Sequence, residues 1–116
     1  MSVRRGEIVL LDFPYTSGGS KVRPALVVQD NQQNRKLANT IVAMVSSKLT
    51  HATEPTQLLI ELATSHGKQS GLRQDSIVNC TRLYTIEQAQ VLRTLGMLPA
   101  VVMQEVDDCL RHALAL

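Results

Sequence analysis

The chain is predicted to fold as a mainly β domain, a small twisted barrel or pair of packed sheets, with a helix closing its C-terminus. Three observations predict this. Short β-branched and apolar runs recur through residues 7–80, each bounded by Gly, Pro, Ser or Asn. The 116 residues, 44% of them apolar, supply one sizeable core, so a single domain over residues 1–116 is expected. The last third changes period, with apolar residues every four positions from Val102 to Leu114.

Each element follows from local chemistry. Glu7-Ile8-Val9-Leu10-Leu11-Asp12-Phe13 reads as the first strand; it stops at Pro14, and Tyr15-Thr16-Ser17-Gly18-Gly19-Ser20-Lys21 has the composition of a mobile loop. Residues 24–29 read as a second strand whose leading Pro24 sits where a missing donor is tolerated. Residues 30–39 are polar and turn-like, and residues 40–45 form a third β-branched run. Two further strands are expected over residues 56–62 and 76–80. Thr85 followed by Gln88 has the form of a capping box and predicts a short helix over residues 86–95, ended at Gly96. Pro99 would open the closing helix, which buries Val102, Val106, Leu110 and Leu114 and turns Glu105, Asp107, Asp108 and Arg111 outward.

Composition narrows the function. Met1 to Arg5 carries two arginines and leads straight into Gly6-Glu7, so neither an apolar leader nor a membrane span is expected, and a soluble cytoplasmic protein is. Cys80 and Cys109, the only cysteines, fit neither a zinc site nor a disulfide scaffold and read as reduced thiols. A net charge of +2 gives no overall field for nucleic acid, so any binding charge must be local. Phe13, Tyr15 and Tyr84 are the full aromatic set, which argues against a platform of stacked bases and for hydrogen bonds and phosphate contacts.

Several residues are candidates for chemistry. Lys21-Val22-Arg23-Pro24 is a basic pair entering an apolar strand; arginine's planar fork suits phosphate, although composition alone favours an ordinary solvated turn. Ser46-Ser47-Lys48 closes the third apolar run, and a hydroxyl there would lie near Arg23 if the second and third strands are neighbours; serines at strand ends also simply form turns. His51, His66 and His112 are the natural acid–base candidates, but their polar settings read as exposed and structural. Asp107-Asp108 points in two directions on a helix, so no metal site is expected. Gly18-Gly19 lacks the pattern of a phosphate-binding loop.

Arg5-Gly6-Glu7-Ile8-Val9-Leu10-Leu11-Asp12-Phe13-Pro14, Lys21-Val22-Arg23-Pro24-Ala25-Leu26-Val27-Val28 and Val45-Ser46-Ser47 together resemble the opening of the MazF/PemK family of toxin ribonucleases. The resemblance continues through Gly71-Leu72, Asp75-Ser76-Ile77-Val78, Leu83-Tyr84-Thr85-Ile86 and Leu95-Gly96-Met97-Leu98. It implies an SH3-like, CcdB/PemK-type barrel with short helices packed on it, working as a homodimer without cofactor or metal. It also implies sequence-specific cleavage of single-stranded messenger RNA, by 2′-hydroxyl attack, to 2′,3′-cyclic phosphate and 5′-hydroxyl ends. A cognate antitoxin would inhibit the activity, with DNA reached only through that antitoxin.

On this resemblance Arg23 matches the family's active-site arginine, and Ser46 falls where members carry a catalytic threonine or serine. Thr16, Ser17, Ser20, Lys21, Ser47 and Lys48 become RNA-binding candidates. One departure is a loop before Arg23 that is shorter than in many members and holds no acid between Thr16 and Lys21. It leaves two alternatives: a catalytically silent barrel that only binds antitoxin or nucleic acid, and a toxin that poisons a topoisomerase.

Overall fold

The computed structural model describes residues 2–14 and 20–116, without the side chains of Pro14 and Ser20. The apolar runs pair as strands β1 (Glu7–Pro14), β2 (Ser20–Val27), β3 (Asn39–Ser46), β4 (Gln57–Ile60), β5 (Ser76–Glu87) and β6 (Val91–Met97). Helices α1 (Asn31–Lys36), α2 (Ser65–Ser70) and α3 (Ala100–Leu114) are interleaved with them. All pairings are antiparallel, in the spatial order β4-β5-β3-β2-β1-β6. Among the described residues β4 and β6 remain edges, so the sheet does not close into the small barrel that was one of the two forms expected.

Period-two alternation explains why β1 to β3 are apolar almost without interruption. Ile8, Leu26, Ala43 and Val45 face one side and pack with Val78, Val102, Met103 and Val106. Val9, Leu11, Ala25, Val27, Val42 and Met44 face the other and pack with Ile86. Strands buried on both faces read as continuous apolar runs. β5 reaches both clusters because its register against β3 jumps from Ala43↔Leu83 to Met44↔Asn79, an irregularity of the kind that bends a strand.

The C-terminal third departs from expectation. No helix forms over residues 86–95: β5 continues to Glu87, a 3-10 turn spans Gln88–Gln90, and β6 then pairs with β1. The capping box exists two residues later than expected, between Glu87 and Gln90, and it closes only that short turn. The open edge of β1 offers a ladder of hydrogen bonds that Val91 to Met97 can complete, and this tertiary gain overrides a weak local helix preference. α3 forms as expected, with Pro99 as its N-cap rather than its first helical residue. Val102, Met103, Val106 and Cys109 are buried, whereas Leu114 is 51% exposed, so the packed stripe is rotated from the one read from the sequence.

Two short helices fall where loops were expected. Asp30 caps α1 by accepting from the Gln32 amide at 3.0 Å, and buried Asn34 accepts from the Thr40 hydroxyl at 2.6 Å. Thr64 caps α2 by accepting from the Gly67 amide at 3.1 Å, and Gly71 ends it at φ 73°. β2 covers residues 20–27 rather than 24–29, and Val28 and Gln29 lie outside it. Cys80 of β5 and Cys109 of α3, distant in sequence, are both buried in the same apolar cluster as free thiols.

Candidate active site

The register of the central strands builds the site. Ala25 faces Met44 where the pairing of β2 with β3 ends, and Arg23 and Ser46 lie two residues beyond that pair on their respective strands, at the same end of the sheet. Arg23 pairs with Leu11 of β1, so its backbone is held on a strand rather than in a mobile turn. The Ser46 hydroxyl oxygen accepts from the Lys48 amide at 3.1 Å. This realises the turn-forming reading, and it also orients the hydroxyl, whose own proton and second lone pair stay available.

Arg23 and Ser46 lie on a wall shared by two cavities. The first, about 470 Å³, is also lined by Lys21, Ser47, Arg73 and Arg93. The second, about 410 Å³, is also lined by Lys48, His51, Arg82 and Tyr84. No Asp or Glu lines either cavity among the described residues, so the nearly balanced charge of the chain resolves into a local cationic region. Phe13 and Tyr84 meet edge to face at 4.8 Å on the second cavity, which gathers two of the three aromatic rings as one pair rather than a platform.

Arg73, Arg82 and Arg93 escaped the sequence reading because nothing local marks them. Tertiary packing of two glycines brings Arg73 to Arg93. A Cβ at Gly71 would overlap the Leu95 carbonyl oxygen, and one at Gly96 would overlap the Gln69 carbonyl oxygen. The end of α2 therefore lies directly on β6, and Arg73, just after that crossing, shares a cavity with Arg93. The two glycines were the only available signal.

Other candidates separate clearly. Thr16 and Ser17 lie outside the described residues, as does the side chain of Ser20. His66 sits on α2 and His112 on α3, outside both cavities; the His112 ring nitrogen lies 2.8 Å from the Asp108 carbonyl oxygen. Asp107 pairs with Arg5 and Asp108 with Arg111. Among the described residues no group of three His, Cys, Asp or Glu side chains is arranged to hold a metal ion.

The open six-stranded sheet with a C-terminal helix is a MazF-type toxin fold. It superposes on a mycobacterial endoribonuclease in complex with its cognate antitoxin at a TM-score of 0.81, with 23% identity, covering 99% of this chain and 97% of that one. It superposes on the Mycobacterium tuberculosis toxin MazF-mt6 at 0.77, with 22% identity, covering 95% and 97%. In sequence, residues 4–114 match the PemK-like, MazF-like toxins of type II toxin-antitoxin systems, and the chain belongs to this family. It is 34% identical over 119 aligned positions to the endoribonuclease MazF6 of M. tuberculosis, covering the whole of both chains. It is 30% identical to the endoribonuclease EndoA of Bacillus subtilis, covering 100% of this chain and 97% of that protein.

Proposed function

We propose that this chain is the toxin of a type II toxin-antitoxin system, a single-domain endoribonuclease that cuts single-stranded messenger RNA at short sequence motifs. One observation carries the reading: Arg23 and Ser46, from adjacent strands, share a wall between two cavities lined by cations and free of acids among the described residues. Relatives named as endoribonucleases, 30% and 34% identical along essentially their whole lengths, support it.

In this reading the scissile phosphate rests against Arg23 and Ser46. The ribose 2′-oxygen attacks phosphorus, Arg23 stabilises the charge growing on the non-bridging oxygens, and Ser46 donates to one of them. The bond to the 5′-oxygen breaks, leaving a 2′,3′-cyclic phosphate and a 5′-hydroxyl. Lys21, Arg73 and Arg93 hold neighbouring phosphates, with Ser47 and Lys48 beside them. The 2′-hydroxyl loses its proton as its oxygen bonds to phosphorus, the leaving 5′-oxygen gains one, and the step needs no metal or cofactor.

The toxin works as a homodimer in the cytoplasm, and DNA is engaged only through the antitoxin. The first-named neighbour was solved with its cognate antitoxin, and here such a partner inhibits by covering the same cationic cavities. No described helix is long and apolar enough to cross a membrane.

The test is cleavage of a long single-stranded RNA in EDTA, with fragment ends mapped and folding followed by circular dichroism. Defined cuts by the wild type should fall by about 10²–10³-fold in folded Arg23→Ala, as on losing one transition-state donor, and should weaken in Ser46→Ala. Folded wild type that binds RNA without cutting it would establish the silent barrel instead.

A further inference from the structure

The reaction above needs a proton for its leaving group, and the loop before Arg23 contains no acid to give it. An arginine keeps its proton in proteins, and lysine, tyrosine and serine side chains ordinarily release theirs only well above neutral pH. Among the described residues lining the two cavities, one side chain belongs to a class that exchanges protons near neutrality: His51. The sequence offers no reason to single it out, since it sits in a polar segment between β3 and β4.

The structure changes that. His51 lines the second cavity together with Arg23 and Ser46. Two successive turns hold its backbone, the Ala52 amide donating to Leu49 at 3.0 Å and the Glu54 amide donating to His51 itself at 3.1 Å. Around it in the cavity stand Arg23 from β2, Lys48 from its own connection, and Arg82 and Tyr84 from β5. The imidazole is exposed and open to solvent, from which it can be recharged between turnovers.

Resting on the ribonuclease reading, we infer that His51 is the general acid of the cleavage step. The 2′-oxygen bonds to phosphorus and its proton passes to water. The bond from phosphorus to the 5′-oxygen breaks, that oxygen keeps the electron pair and takes the Nε2 or Nδ1 proton of the imidazolium, and the neutral ring regains a proton from water. No oxidant, metal or second substrate enters.

The test uses two substrates built at a cut site mapped with wild-type protein: an ordinary RNA oligonucleotide, and the same oligonucleotide with sulfur replacing the bridging 5′-oxygen. A thiolate leaves without needing a proton. His51→Ala and His51→Gln should cut the ordinary RNA about 10²–10⁴-fold more slowly, the usual worth of general acid catalysis, and should recover to within about tenfold of wild type on the sulfur substrate. His66→Ala should behave as wild type on both substrates. A His51 variant that cuts ordinary RNA at the wild-type rate, or that loses equally on both substrates while folded, overturns the assignment and leaves the ribonuclease reading standing. Wild type that cuts neither substrate overturns both.

Discussion

Cys80 shows how a single side chain can report on the whole core. Its thiol is fully buried between β5 and α3, and burial, reinforced by the facing Cys109, pushes its pKa from the ordinary 9.0 to about 12. An acid held neutral in the folded state lends stability that is complete below its unfolded pKa and is lost as pH rises toward the folded one. Cys109 is raised in the same direction by burial and by Asp108 and Glu105. The stability advantage of wild type over Cys80→Ala should therefore narrow by roughly 1 kcal/mol between pH 8 and pH 10, on the order of one unit beyond the ordinary thiol value. Urea unfolding of both proteins at each pH measures this. A constant gap would mean that Cys80 ionises alike in both states. At the same scale, the sequence made the nearness of Ser46 to Arg23 conditional on β2 and β3 being neighbours, and the pairing of those strands supplies that adjacency.

Among the elements, the crossing of α2 on β6 governs the site although neither was read correctly. α2 is six residues long, too short to show a helical period, and β6 carries an irregular apolar pattern on an edge strand. Both were decided by contacts distant in sequence, with Gly71 and Gly96 as the meeting points. Gly96→Ala should destabilise the protein by about 1–3 kcal/mol, as for other overpacked sites. It should also weaken RNA binding by displacing Arg73 relative to Arg93. Denaturant titration and binding of a 2′-O-methylated RNA would show both effects. Unchanged stability would mean that α2 can slide away from β6 without cost.

Over the whole molecule, a charge of +2 conceals a concentration of arginine around the wall that Arg23 and Ser46 share between the two cavities. Binding through such a patch releases counterions from RNA, so affinity should fall steeply with salt. In the proposed complex, Arg73→Ala and Arg93→Ala should each lower the slope of log affinity against log salt by about 0.7, the value for one phosphate contact on a single strand. Fluorescence anisotropy with the same 2′-O-methylated RNA gives the slopes. A slope identical to wild type would show that the first cavity does not hold phosphates.

Local pattern by itself determined β1, β2, β3 and α3, since continuous β-branched runs and a four-residue apolar period each admit one good structure. Family resemblance singled out Arg23 and Ser46, whose local chemistry alone read as a solvated turn and a turn-forming serine. Tertiary structure alone decided that residues 91–97 are a strand, that the sheet stays open, and that Arg73, Arg82, Arg93 and His51 line the cavities flanking Arg23. The physical reason is range. Hydrophobic period and turn chemistry act over a few neighbouring residues, whereas an edge strand and a polar cavity take form only when segments far apart in the chain come into contact.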